Sequence, residues 1–527
     1  MRGHDGTRQA IRGLPFFLRV ASVPVALALG GCASVGPDFK KPEATITESW
    51  AAKDDPRIST QATADTLWWK SFNDPALDRL VDLAYRQNLP LQIAGLRIVE
   101  ARAQLGVVTG RRYPQVQAAF ANATAQRLSE STANVAGLDN TFVDYQVGFD
   151  AFWELDFWGK YRRGVEAEAN NVLASVANYD QALVSLSAEV ARTYTAIRTF
   201  EVLIALAREN ERVQREGLQI AESRFRNGAT SELDVAQATT LLESTRASIP
   251  KLQGGLLQAR NALSILLGQP PGMVNELLTG SQEIPRVPAT VAVGVPAELL
   301  RRRPDIRAAE LSAAAQSARI GVAKADLYPS FSLFGTIGIG ASSGAGADFS
   351  LGDGLFYSVG PRIRWPFFNY GRIENTVRVE DARFQQLLVG YRDTVLRAAQ
   401  EVENALAGFL SGQEAAAFEQ AAVNAALRSV ELALVQYREG AVDYQRVLDA
   451  QRSLLLQQIS LAQTRSAVTT SLIAVYKALG GGWESRQAQP IVAEPMQAEM
   501  KDRTNWGDLL SEPSSPESKQ SPAPEKN

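Results

Sequence analysis

The 527-residue chain is 45% hydrophobic and 21% charged, with a net charge of −3. That is ample for a large core and gives no basic footprint for a nucleic-acid partner. Its single histidine is His4 and its single cysteine Cys32, so beyond residue 32 there is neither imidazole nor thiol. This excludes Ser-His-Asp and Cys-His nucleophilic chemistry, nearly all zinc sites and internal disulfides. A carboxylate-only hydrolase remains open in chemistry, but no paired acids in a glycine-framed cleft support it.

The N-terminus reads as a signal peptide over 1–31. Arg2, Arg8, Arg12 and Arg19 precede an apolar run over 20–29 that is too short to span a bilayer. Leu29-Gly30-Gly31-Cys32 resembles the bacterial lipoprotein signal, which implies cleavage before Cys32 and lipid attachment to its thiol. An ordinary signal peptide with an incidental cysteine is the plainer alternative. Residues 32–70, polar and carrying Pro37, Pro42 and Pro56, read as an extended lipidated tether.

Over 77–110, Leu80, Leu83, Leu91, Ala94, Ile98 and Leu105 recur at helical spacing, with a break expected at Pro90. After Tyr113-Pro114 the period changes to two. Val116, Ala118 and Phe120 mark one strand; Tyr145, Val147, Phe149, Ala151 and Trp153 mark another. A helix of roughly 60 residues, about 90 Å at ~1.5 Å per residue, then runs to Arg226-Asn227-Gly228. Glycine there is a helix-stopping cap, and a return helix follows over 231–267. Prolines over 269–296 mark a connecting segment.

The second half repeats this order. Trp153, Gly159, Gly228, Val235 and Gly268 recur 212 positions later as Trp365, Gly371, Gly440, Val447 and Gly480. Strands are expected around Phe331–Ile339 and Leu355–Trp365, a second rod over 371–438 and a return helix over 443–479. The two repeats, 71–268 and 297–484, read as similar units packed side by side. A Pro/Ser/Glu/Lys-rich stretch over 485–527 reads as disordered.

Four strands cannot close a membrane barrel alone, since the smallest such barrels need about eight. Either they form a soluble sheet or several chains pool them. Trp153, Trp158, Trp365 and Tyr370 gather at the strand–helix junctions, where aromatics suit a membrane–water boundary. A packed aromatic corner between sheet and rod is the other reading, and the two are compatible.

The order of elements, with Arg303-Pro304-Asp305-Ile306, Tyr328-Pro329, Phe225-Arg226-Asn227-Gly228, Tyr437-Arg438-Glu439-Gly440 and Leu448-Asp449-Ala450-Gln451-Arg452, resembles the TolC-like outer-membrane factor family. With Cys32-Ala33-Ser34-Val35-Gly36-Pro37-Asp38, the chain is most similar to its lipoprotein, NodT-type branch of multidrug efflux proteins. The resemblance spans about residues 35–483. It implies a mainly α fold with a transmembrane β-barrel: a duplicated α-barrel/β-barrel protomer whose homotrimer completes a 12-stranded barrel. It implies passive export of drugs or other small molecules across the outer membrane, without enzyme activity or cofactor. The implied partners are a periplasmic adaptor, an inner-membrane pump of the resistance–nodulation–division class, and outer-membrane lipid. Gly228 and Gly440 then stand at adaptor-docking tips, and Asp234 and Asp449 at a periplasmic gate. Gln445 and Arg446 depart from the family's usual leucine or carboxylate, so Arg446 is a candidate latch. A type I protein-secretion duct and a periplasmic coiled-coil adaptor lipoprotein are the alternatives.

Overall fold

A computed structural model describes residues 34–61, 67–129, 131, 140–343, 352–484 and 490–510. The expected signal peptide, Cys32 and the tail beyond residue 510 lie outside the described residues. In chain order the elements are β1 (Ile58–Ser59), α1 (Pro75–Gln87), α2 (Leu89–Gly110), β2 (Val116–Arg127), β3 (Thr141–Leu155), α3 (Lys160–Arg226) and α4 (Glu232–Leu266). There follow β4 (Val291–Ala292), α5 (Pro296–Arg302), α6 (Pro304–Ala325), β5 (Ser330–Ser342), β6 (Leu355–Arg364), α7 (Arg372–Arg438), α8 (Tyr444–Ala478) and α9 (Glu494–Arg503).

The rods α3 and α7 are unbroken helices of 67 residues each, about 100 Å at ~1.5 Å per residue. The expected break near Pro90 falls between α1 and α2. There the Asn88 side chain accepts from the Leu91 amide at 2.9 Å, and the proline sits in a first turn that needs no amide donor. No described helix is long and apolar enough to cross a membrane.

The chain divides into two compact units that cut across the sequence repeat, because each unit takes parts of both halves. The first holds the described residues of Met1–Lys41, with Ala103–Asn171 and Ser312–Gln386. At its centre is a four-stranded antiparallel sheet in the order β2-β3-β5-β6. The hairpin of the first half joins that of the second through β3 and β5, from Asp144 opposite Ser342 to Leu155 opposite Phe331. Two repeats therefore merge into one sheet, as expected of hairpins that are marginal alone. Strands β2 and β6 are its edges, and Pro361, which lacks an N–H, sits on edge strand β6.

The second unit holds Pro42–Arg102, Val172–Leu311 and the described residues of Leu387–Asn527. Its core packs Leu77, Leu80 and Ala84 of α1 with Leu183, Tyr194 and Ile197 of α3, Phe409 of α7 and Leu472 of α8. Asp74 caps α1 by accepting from the Ala76 amide at 2.9 Å, and its other oxygen accepts from the Tyr194 hydroxyl at 2.6 Å. Buried Arg303 pairs with Asp305 and Glu401, each at 2.7 Å, and donates to the Ala478 carbonyl at the end of α8. The Arg-Pro-Asp sequence therefore has a structural role, since it closes a helix C-terminus with a cation.

Two expectations are corrected here. The tether over 32–70 is in part core: Trp50, Ile58, Trp68 and Trp69 are buried, Trp68 stacks on Tyr476 at 5.3 Å, and β1 pairs in parallel with β4. Three tryptophans in a polar stretch carry enough apolar area to outweigh its composition. The disordered tail expected from residue 485 contains a packed strap over 490–510. Val492, Met500 and Leu510 are buried with Val99 of α2, and Gly95 lies where a Cβ would overlap the Ile491 carbonyl oxygen.

Candidate functional site: sheet faces and helical tips

The pairing register sorts the sheet's side chains into two chemically distinct faces. Tyr145, Val147, Phe149, Ala151 and Trp153 of β3 share a face with Leu333, Ile337 and Ile339 of β5 and Leu355, Tyr357, Val359 and Ile363 of β6. Ala119, Ala121 and Ala123 of β2 continue it. This face is apolar and uncovered: Phe149 is 65% exposed, Tyr357 73% and Val359 78%. The opposite face carries Asp144, Gln146, Asp150 and Glu154 of β3, Ser332 and Thr336 of β5, and Ser358 and Arg362 of β6. There Thr336 donates to Asp150 at 2.6 Å, Gln146 donates to Asp144 at 2.8 Å, and Arg362 stacks over the Phe334 ring at 4.8 Å. Phe120, Phe142, Phe152, Phe334 and Phe356 share this second face with the polar groups. One face is therefore apolar and uncovered while the other is mixed, the inverse of a soluble sheet that buries its apolar side.

Three of the four junction aromatics share a design. Trp153 donates its indole N–H to the Arg112 carbonyl at 3.2 Å, Trp158 to Pro329 at 2.8 Å and Trp365 to Leu327 at 3.1 Å. Trp158 also stacks on Tyr328 at 4.6 Å. Each tryptophan thus satisfies its one donor on a turn carbonyl, and Trp153 and Trp365 keep much of their rings exposed. Tyr370, with φ 52°, is fully exposed beside the turn at Gly371. Phe367 and Phe368, exposed and 4.6 Å apart, extend this rim.

At the far ends of the rods, Gly228 and Gly440 adopt φ of 69° and 78°. Gly228 N–H donates to Phe225 and Ala229 N–H to Arg224; Gly440 N–H donates to Tyr437 and Ala441 N–H to Gln436. Both are Schellman caps, closed the same way in the two halves. Both glycines are exposed, and the space where a Cβ would stand at Gly228 is open.

The predicted gate residues fall into two groups. Asp234, in the first turn of α4, accepts from the Tyr437 hydroxyl at 3.3 Å and from Thr230. Tyr437 is buried, edge-on to Tyr444 at 5.0 Å. Burial pushes the Tyr437 phenol above its ordinary value, and the Asp234 carboxylate adds to the shift. Asp449 is exposed on α8 and accepts from Gln445 at 3.0 Å. Arg446 is exposed, its amide capped by Asp443 at 3.4 Å, and among the described residues it forms no ion pair. Among the described residues no hydrogen bond joins the Asp234 group to the Asp449 group.

Sequence reasoning missed Arg224. Its guanidinium lies 4.8 Å over the Tyr437 ring and donates to the carbonyls of Tyr437, Arg438 and Ala229, so a residue of α3 caps the end of α7. The one signal was a break in the repeat: 212 positions on, Arg224 is matched by Gln436.

A family profile described as "Outer membrane efflux protein" matches residues 80–269 and 295–481. The cation efflux system protein CusC of Escherichia coli is 31% identical over 462 residues, 87% of this chain and 98% of CusC. The probable outer membrane lipoprotein SilC of Salmonella typhimurium is 31% identical over 472 residues, 89% of this chain and 99% of SilC. Among solved structures, the outer-membrane channel OprN superposes with a TM-score of 0.79 at 34% identity, covering 85% of this chain and 99% of OprN. The chain belongs to the outer membrane efflux protein family.

Proposed function

We propose that three copies of this chain close one 12-stranded barrel in the outer membrane, each supplying its four-stranded sheet, and that drugs or other small molecules leave the cell through it. The observation that carries this reading is the uncovered apolar face of a sheet with two open edges. A bare apolar face is a liability in water and a requirement in a bilayer wall, and the two open edges must pair with neighbouring copies to close that wall. At ~3.4 Å per residue, the 12 residues of β2 extend about 40 Å; tilted by roughly 45°, they cover about 28 Å of height, against an apolar band of ~25 Å in such barrels.

On this reading Trp153, Trp158, Trp365 and Tyr370 sit at the membrane–water boundary, and Cys32 carries the lipid anchor, a reading supported by the name of SilC. Gly228 and Gly440 receive a periplasmic adaptor that links the duct to an inner-membrane pump of the resistance–nodulation–division class. Asp234, Asp449, Arg446 and Gln445 line the periplasmic constriction, where rings of carboxylates favour cations. The duct performs no chemistry and passes what the pump delivers, so a cation cargo like that in CusC's name and a drug cargo differ upstream. The test is purification in mild detergent followed by mass determination and insertion into planar bilayers. Three chains per particle and discrete conductance steps are expected. A non-conducting monomer whose Phe149 and Val359 resist a membrane-partitioning label overturns the proposal.

A further inference from the structure

We propose that the β3–α3 turn and the first turn of α3 form a receptor for the chain's own N-terminal segment, built around Arg163, which fixes where the lipid anchor enters the membrane. The proposal rests on the reading of Cys32 as acylated. Residues 34–38 are held by named bonds. Val35 N–H donates to the Trp158 carbonyl at 3.0 Å. Arg163 Nε donates to the Val35 carbonyl at 3.3 Å, its Nη2 reaches Asp38 at 2.6 Å and its Nη1 reaches Glu166 at 2.8 Å.

Arg163 is buried, 5% exposed, and a buried guanidinium is tolerated only when paired and hydrogen-bonded. Two of its three partners, Val35 and Asp38, come from the N-terminal segment. Without that segment only Glu166 remains, so the pocket is incomplete alone. Its shape is as specific as its charge. Gly36, at φ 103°, lies where a Cβ would overlap the Gly321 backbone. A Cβ at Gly321 would stand 2.7 Å from the Val35 carbonyl oxygen, and one at Gly159 would overlap Ser34. Three glycines thus let one backbone lie directly on another. The sequence repeat supplies independent support: 212 positions on, Arg163 is matched by Asn375, so the arginine at the centre of the groove is not duplicated.

Ser34 follows Cys32 by two residues, a reach of no more than about 7 Å. The acyl chains are therefore delivered at the level of the Trp158–Tyr328 stack, and anchor and sheet meet the bilayer together. Arg163 is a positioning residue for the anchor, and the predicted consequence is coupling. Outer membranes from cells making the wild-type chain, Cys32→Ser, Arg163→Gln, the double variant and Gly36→Ala are to be compared for heat-resistant oligomer, with N-terminal peptide mass measured throughout. Each single variant should lose oligomer several-fold, and the double variant should lose no more than the worse single. Arg163→Gln and Gly36→Ala should remain acylated. Losses that multiply in the double variant, or a Gly36→Ala chain with wild-type oligomer, overturn the receptor while leaving acylation standing. An unmodified Cys32 in the wild type overturns the lipoprotein reading itself, and the receptor with it. If Arg163→Gln fails to fold, Gly36→Ala decides, because it perturbs the groove from the opposite side.

Discussion

Tyr437 is the side chain on which both hairpin tips converge. Its hydroxyl donates to Asp234 of α4, its ring lies under Arg224 of α3, and its edge meets Tyr444 of α8. The donation requires a neutral phenol. Because burial raises its folded value above the ordinary ~10, this contribution is complete below pH 10 and is lost as pH rises through the folded value. Leak conductance in planar bilayers is expected to stay flat from pH 7 to 10 and to climb above it. Tyr437→Phe should leak already at neutral pH, with a loss of about 1 kcal/mol, and should lose the alkaline rise. Asp449→Ala combined with Arg446→Ala is likewise expected to increase leak; unchanged conductance would refute a gating role for that pair. Asp234 and Asp449 were candidates only through the family resemblance, which names those positions. Arg224 and the Tyr437 bond were not, because their partners lie some two hundred residues away and no local period encodes them.

At the scale of elements, the sheet offers a test with a built-in control. Phe149 and Gln146 stand on opposite faces of β3, three residues apart. If the apolar face meets lipid as proposed, Phe149→Arg should prevent outer-membrane assembly, since a cation facing lipid near mid-strand costs ~2–4 kcal/mol. Gln146→Arg should assemble and change ion selectivity. The measurement pair is outer-membrane fractionation and reversal potential; equal behaviour of the two variants would end the assignment of faces. The alternation over 145–153 was readable because successive side chains of a strand fall on opposite faces, so a period of two sorts them directly. The strap over 490–510 was not, because Val492, Met500 and Leu510 are spaced too irregularly to form a stripe. The tips divide in the same way. Gly228→Val or Gly440→Val strains a positive φ by roughly 1–2 kcal/mol; the first fills open space and the second meets the Arg224 guanidinium. Heat-resistant oligomer should persist while adaptor-dependent drug resistance falls.

For the molecule as a whole, the 212-residue spacing announced doubling but not how the copies combine. Compact units follow chemistry rather than chain order, since strands from both halves share one sheet. Doubling is also incomplete at the turns proposed to dock an adaptor. The two caps have the same backbone, yet Asp234 is matched 212 positions on by Arg446, Phe225 by Tyr437 and Arg224 by Gln436. On the proposed reading, a ring of identical adaptor subunits that engages every tip would meet two kinds of seat. Its members must bind with two lifetimes, so release should follow two exponentials, and raising ionic strength should shorten one phase more than the other. On the proposed docking reading, the duplication leaves paired sockets of unlike grip, and a partner evolved for one would compromise at its neighbour.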